Sequence, residues 1–166
     1  MNENVARLLK EADKLHERFL LSEKVGPDYF EPGMMEYLDK SEGLYDPATG
    51  ELLLRFESRG TRYEGRSDRI ERVRIGDAVR VVRDPGNAFN KNNFLLFTDR
   101  GGDVGNMPAE LCNAVAPLYD EGDLEFREAK VSYVEPLSSR SRHAKQAVLF
   151  VELRCVLDRY VTGNRS

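Results

Sequence analysis

The segment "VVRDPGNAFNKNNFLLF", residues 81–97, sets an arginine, an aspartate, a lysine and four asparagines between two apolar runs. A turn accounts for part of this. Pro85 fixes φ, and Gly86 and Asn87 tolerate positive φ, so chain reversal is easy here. Arg83, Phe89, Asn90, Lys91, Asn92 and Asn93 are left over. Asparagine amides both donate and accept, so Asn87, Asn90 and Asn92 could read a base edge or a sugar hydroxyl. An exposed Phe89 would offer a stacking face. Arg83 and Lys91 would neutralise phosphate. The structural alternative is a polar hairpin loop with Phe89 tucked into the edge of the core. Composition alone leaves both readings open.

Two further segments carry related chemistry. "RGTRYEGR", residues 59–66, brackets Arg62 and Tyr63 between glycines and so pairs a cation with a stacking ring. "SSRSRHAK", residues 138–145, adds Arg140, Arg142, His143 and Lys145 without an acidic residue. Loops of this kind on one small barrel can converge on a groove for single-stranded nucleic acid. The reading requires Arg62, Tyr63, Arg83 and Phe89 to share one solvent-open cleft.

The net charge of −4 taken alone argues against non-specific binding to nucleic acid. Its distribution argues otherwise. Residues 1–51 hold 6 Lys and Arg against 12 Asp and Glu, whereas residues 59–91 hold nine against five. The basic region is the one that surrounds the asparagine-rich segment.

Catalytic signatures are absent: there is no HExxH, phosphate loop, GxSxG or GxGxxG. The two histidines, His16 and His143, have no cysteine or second histidine nearby to share a metal. Asp84, Asp99 and Asp103 could converge on a divalent cation as in a nuclease, yet turns favour aspartate for backbone reasons. The expectation is no enzyme, no cofactor and no metal, with the nuclease as the weaker alternative. Cys112 and Cys155 sit in apolar patterns and read as buried free thiols. No run approaches a membrane span, and the N-terminus lacks the apolar stretch of a signal peptide, so the expected location is the cytoplasm.

The elements that must position these loops follow from periodicity. Val5, Leu8, Leu9, Ala12, Leu15, Phe19 and Leu20 form the stripe of an amphipathic helix, stopped at Gly26-Pro27. A connecting segment follows, docking through Met34, Tyr37 and Leu38. From residue 50 the period changes to that of short strands: 51–59, 77–84, 93–99, 103–107, 124–135 and 147–158. One helix interrupts them at 107–122, with Pro108 near its first turn, Pro117 inside it and Gly122 at its end. The fold class is mainly β: a small OB-like barrel of about six strands with one or two helices, plus the N-terminal helix. The expected division is residues 1–48, a barrel over 49–160, and a tail over 161–166. A rival function is a protein-interaction module, in which the stripe of the N-terminal helix packs on a partner or a second copy.

The order "GTRYEG", "GDAVRVVRDPGNAFNKNNFLLF", "DVGNMPAELCNAVAPLYDEG" closely resembles the HIRAN domain over about residues 50–157. The resemblance implies an OB-like barrel with two helices that captures the 3′ end of single-stranded DNA. It occurs in translocases that remodel stalled replication forks and also in stand-alone bacterial proteins. It assigns phosphate contact and stacking to Arg62 and Tyr63, and the terminal nucleotide to Phe89 and Asn90. A later loop aromatic falls near 137–143, where only His143 stands. The family aspartate is Asn90 here, a weaker acceptor for a terminal hydroxyl. The family alanine is Asn93. The partner implied is DNA, as a single strand or an end, with no membrane.

Overall fold

The computed structural model describes residues 3–22, 45–46 and 48–158, with side chains from 3–14, 45–46 and 48–158. The expected stop at Gly26-Pro27 and the docking residues Met34, Tyr37 and Leu38 lie outside these residues, as do the side chains of Leu15, His16, Phe19 and Leu20.

Helix α1 (Glu3–Ser22) carries the stripe read from the sequence. Val5 and Leu8 are 0 % exposed and Ala12 is 2 % exposed, all within the main core. The helix packs on α3 (Ala109–Asp120) and on β2 (Glu51–Glu57). Val5, Leu8 and Ala12 of the apolar stripe are thus covered by α3 and β2 of this same chain.

Among the described residues seven strands form two antiparallel sheets. The first has the order β1 (Tyr45–Asp46), β2, β7 (Val148–Leu157), β6 (Leu124–Glu135). The second has β3 (Val79–Arg83), β4 (Phe94–Thr98) and β5 (Gly102–Asn106) in sequence order. The sheets meet at two corners through isolated bridges, Arg59 with Asn106 and Ala78 with Lys130. The arrangement is OB-like, and among the described residues its ladder is not closed all the way round.

β7 explains why the core is so readable. Leu149, Val151 and Leu153 are 0 % exposed and Cys155 and Leu157 are 1 % exposed, every second residue on one face. On the other face Glu152 lies opposite Arg55 and Lys130 in register, 3.1 and 3.6 Å from them. β6 is less regular. Its register shifts between Phe126 and Glu128 and again between Val131 and Tyr133. The first shift explains how Phe126 and Val131, an odd distance apart, both belong with the core.

Helix α3 begins after Pro108, runs through Pro117 and ends where Gly122 takes φ +80°. The Gly122 N–H donates to the Tyr119 carbonyl at 3.1 Å and the Asp123 N–H to Leu118 at 2.9 Å, a Schellman stop. Gly105, in β5, is needed for another reason. There the strand passes so close to the end of β2 that an added Cβ would lie 2.0 Å from Ser58 Oγ and 2.8 Å from the Arg59 carbonyl oxygen. A short helix, α2 (Arg66–Ile70), was not anticipated, because five residues inside a turn-rich stretch show no period.

Both cysteines are free and buried, as expected. Burial raises the Cys112 thiol from 9.0 to about 11 and raises Cys155 as well. A folded-state value above the unfolded one gives stability that is complete below about pH 9 and is lost as pH rises toward about 11. Urea midpoints across that window should therefore fall more steeply for the wild type than for Cys112→Ala. Parallel curves would count against burial of the thiol.

Candidate nucleic-acid interface

The loop from Asp84 to Asn93 is built largely from its own amides. Asn87 Oδ1 accepts from the N–H groups of Phe89 and Asn90 at 2.9 and 3.0 Å. Asn90 Oδ1 accepts from the Asn92 N–H at 3.0 Å. Asn87 Nδ2 and Asn93 Nδ2 both donate to Asp84 Oδ2, at 3.2 and 3.1 Å. Asn90 Nδ2 and Asn92 Nδ2 donate to Asn113 Oδ1 on α3 at 3.1 and 3.2 Å. Most of the polar surplus therefore fixes the backbone, as side chains of this length do when they mimic turns. Asn93 is 6 % exposed and reaches Asn106 Oδ1 at 2.9 Å.

Phe89 is the exception in this loop. Its backbone is held by Asn87, yet its ring is 98 % exposed. The alternative of a ring tucked into the core edge fails, and the ring faces solvent. It borders a cleft of about 600 Å³ that also meets Asn90, Arg59, Pro108, Glu110 and Lys14. Of the loop residues singled out in the sequence, Asn87, Phe89, Asn90 and Asn93 line this cleft. Arg59, which the sequence offered only as one charge among nine, lines it as well.

Arg83 has a different position from the one expected. Its Nε and Nη2 grip Asp120 at the end of α3 at 3.0 and 3.1 Å. Its Nη1 donates to the Lys91 and Asn93 carbonyls at 2.7 and 3.2 Å. The guanidinium lies 5.5 Å from the centre of the Phe94 ring. These contacts make Arg83 a clasp for the base of the loop rather than a wall of the cleft. Lys91 is exposed on the same loop and Asn92 is partly buried.

Arg62 and Tyr63 are both exposed, the ring at 62 %, with the guanidinium 6.0 Å from the ring centre. They lie on the neighbouring loop and do not line the cleft. The loop is anchored from below by Arg66, whose Nε and Nη2 meet Asp103 at 3.0 and 3.2 Å. Arg69 donates to the carbonyls of Asp103 and Glu64, both at 2.8 Å. Part of the basic run is thus internal bracing, which lowers the charge free to face a polyanion.

The third loop divides likewise. Arg140 has a largely buried side chain that donates to the Gln146 carbonyl at 2.9 Å and lies 3.5 Å from Glu135. Arg142 and His143 are exposed. Ser138 donates to Glu71 through both its hydroxyl and its N–H, which holds that carboxyl below its usual range and pins the loop to α2.

The loops are contiguous through two polar joints. Thr61 Oγ1 donates to the Ala147 carbonyl at 2.8 Å, and Ser67 Oγ bridges Thr61 and Ala147 at 2.7 and 2.9 Å. Asn106 pairs its backbone with Arg59 at 2.8 and 3.0 Å while its side chain takes Asn93. The joints were invisible in the sequence because neither asparagine nor serine at these positions differs in type from its solvent-facing neighbours.

The three aspartates of the nuclease alternative do not meet. Asp84 is bonded to asparagines and Asp103 to Arg66. The register sets Asp103 opposite Phe97 and Asp84 opposite Asn93, four residues and about 13 Å away along the strand. Among the described residues no group of three or more His, Cys, Asp or Glu could hold a metal, and no helix is long and apolar enough to cross a membrane.

Two small antiparallel sheets that raise linked cationic and aromatic loops define an OB-like module of the ligand-binding type. The HIRAN domain family matches residues 52–150, more than half of the chain, and the protein belongs to that family. The fold is similar to the crystal structure of the HIRAN domain of human HLTF, with 21 % identity, 69 % of this chain, 87 % of that chain and a TM-score of 0.48. A protein from Lactobacillus plantarum is 19 % identical over 63 % of this chain and 98 % of its own, with a TM-score of 0.46. The NMR structure of the HLTF HIRAN domain in its DNA-bound conformation is 21 % identical over 67 % of this chain and 80 % of its own, with a TM-score of 0.45. No curated protein matches the sequence.

Proposed function

We propose that this protein binds single-stranded DNA, preferentially at strand ends, by stacking a base on Phe89 while Arg59 neutralises an adjacent phosphate. The observation that carries the proposal is the Phe89 ring, 98 % exposed on a backbone fixed by the Asn87 amide. A phenylalanine held out to water beside an arginine-bordered cleft is a platform for a planar ligand. Family membership supports the same ligand, since one member, HLTF, has a DNA-bound conformation. Tyr63, Arg62, Lys91, Arg142 and His143 are exposed on the adjoining loops and extend the path for the strand.

Each stacked base contributes about 1–3 kcal/mol, so one or two stacks and a few ion contacts give an affinity on the micromolar scale. Asn90 has an amide where the family has a carboxylate, and its Nδ2 and Oδ1 already serve Asn113 and Asn92. Selection of a 3′-hydroxyl is accordingly weak. The role is binding without a chemical step, in a cytoplasmic setting, at ends exposed during DNA repair or fork processing.

Fluorescence anisotropy with 3′-hydroxyl, 3′-phosphate and duplex oligonucleotides tests this. Single strands should bind best, with little difference between the two ends, and affinity should fall steeply with salt. Tyr63→Ala should weaken binding about five- to tenfold, the low end of one stack. Equal and negligible affinity for all three probes would remove the proposal.

A further inference from the structure

We infer that α1, which lies outside the family-matched residues 52–150, is a binding element of the same cleft, with Lys14 taking a strand phosphate and Glu11 opposing it. The inference rests on the proposed single-strand function. Its basis is placement. Val5, Leu8 and Ala12 are buried where α1 packs on α3 and β2, which fixes the helix beside the first turn of α3. Glu11 and Lys14, one turn on, then line the cleft on which Phe89 also borders.

The charges decide what this wall does. Among the described residues the cleft is lined by two cations, Arg59 and Lys14, and two carboxylates, Glu11 and Glu110. A polyanion entering it meets repulsion from both carboxylates unless they are neutralised. Lys14 Nζ lies 3.1 Å from Glu11 Oε1, and the side chains are 54 % and 17 % exposed. The carboxylate is the more enclosed partner. The ammonium, on a flexible stem at the mouth, is the one that can turn to a phosphate. An ion pair three residues apart at the surface is weak, so a phosphate can compete for the lysine. Binding then leaves Glu11 without its cation, which opposes affinity. Removal of the Glu11 charge should do the reverse.

The test uses the full chain, a labelled single-stranded oligodeoxythymidine and a salt titration, with thermal unfolding to check each fold. Lys14→Ala should weaken binding about two- to fivefold, the size of one exposed ion contact. It should also flatten the slope of log affinity against log salt by about 0.7, the value for one phosphate on a single strand. Lys14→Arg should restore both, and Glu11→Gln should tighten binding. If the wild type binds and Phe89→Ala weakens it, but Lys14→Ala and Glu11→Gln leave affinity and slope unchanged, the role of α1 is overturned and the function stands. If the wild type does not bind, both fall.

Discussion

Gly105→Ala should destabilise the protein by about 3–5 kcal/mol, combining backbone strain with overpacking. Gly105 has φ +130°, which L side chains rarely adopt. A methyl there would lie 2.0 Å from Ser58 Oγ and 2.8 Å from the Arg59 carbonyl oxygen. The hydroxyl could in principle rotate, but it is 2 % exposed and donates to the Val104 carbonyl at 2.8 Å. The Arg59 carbonyl is fixed by the Asn106 N–H at 3.0 Å. Relief therefore requires the two sheets to part at this corner. Thermal unfolding followed by circular dichroism should show a drop on the order of 10 °C for a domain of this size. Gly86→Ala is the control, since nothing lies within 4 Å of its added carbon. Ser58→Ala in the Gly105→Ala background should recover only part of the loss, because the carbonyl contact remains. A melting temperature within a couple of degrees of wild type would mean that the strands do not approach as described.

Phe89→Ala should have the opposite profile, with stability unchanged and DNA affinity reduced about 5- to 150-fold, the equivalent of one base stack. A ring 98 % exposed loses no packing when truncated. The loop should keep its shape, because Asn87 holds the backbone N–H of residue 89, which alanine retains. Anisotropy and thermal unfolding on the same samples separate the two effects. A lowered melting temperature would show that the ring packs after all. Unchanged affinity with intact binding would move the stacking platform to Tyr63.

The sequence reveals the sheets where a strand has one buried face or is buried on both. In β7 the inward residues Leu149, Val151, Leu153, Cys155 and Leu157 are all apolar and readable as such, although Val148, Phe150 and Glu152 on the other face are buried too. β6 is harder, because the extra residue around Arg127 reverses the phase and no composition signal marks the shift. The loops show the deeper difficulty. An asparagine that contacts a ligand and one that holds its own backbone are the same letter, so Asn87, Asn90, Asn92 and Asn93 all suggested recognition, though their described bonds are internal. Arg83 suggested phosphate for the same reason, and its partner Asp120 is too distant in the chain to be inferred. Phe89 stood out because no local bond needs an aromatic ring, but its letter did not say whether the ring packs on the core edge or faces water; the fold does, at 98 % exposed. Lys14 and Glu11 became relevant only when tertiary packing brought α1 to the cleft.

Asn106 sets one residue beneath two loops, its main chain under Arg59 and its amide under Asn93. A single residue thus ties the base of one loop to the base of the other, as one pin joins two leaves of a hinge, and neither base can shift alone without breaking a bond at Asn106.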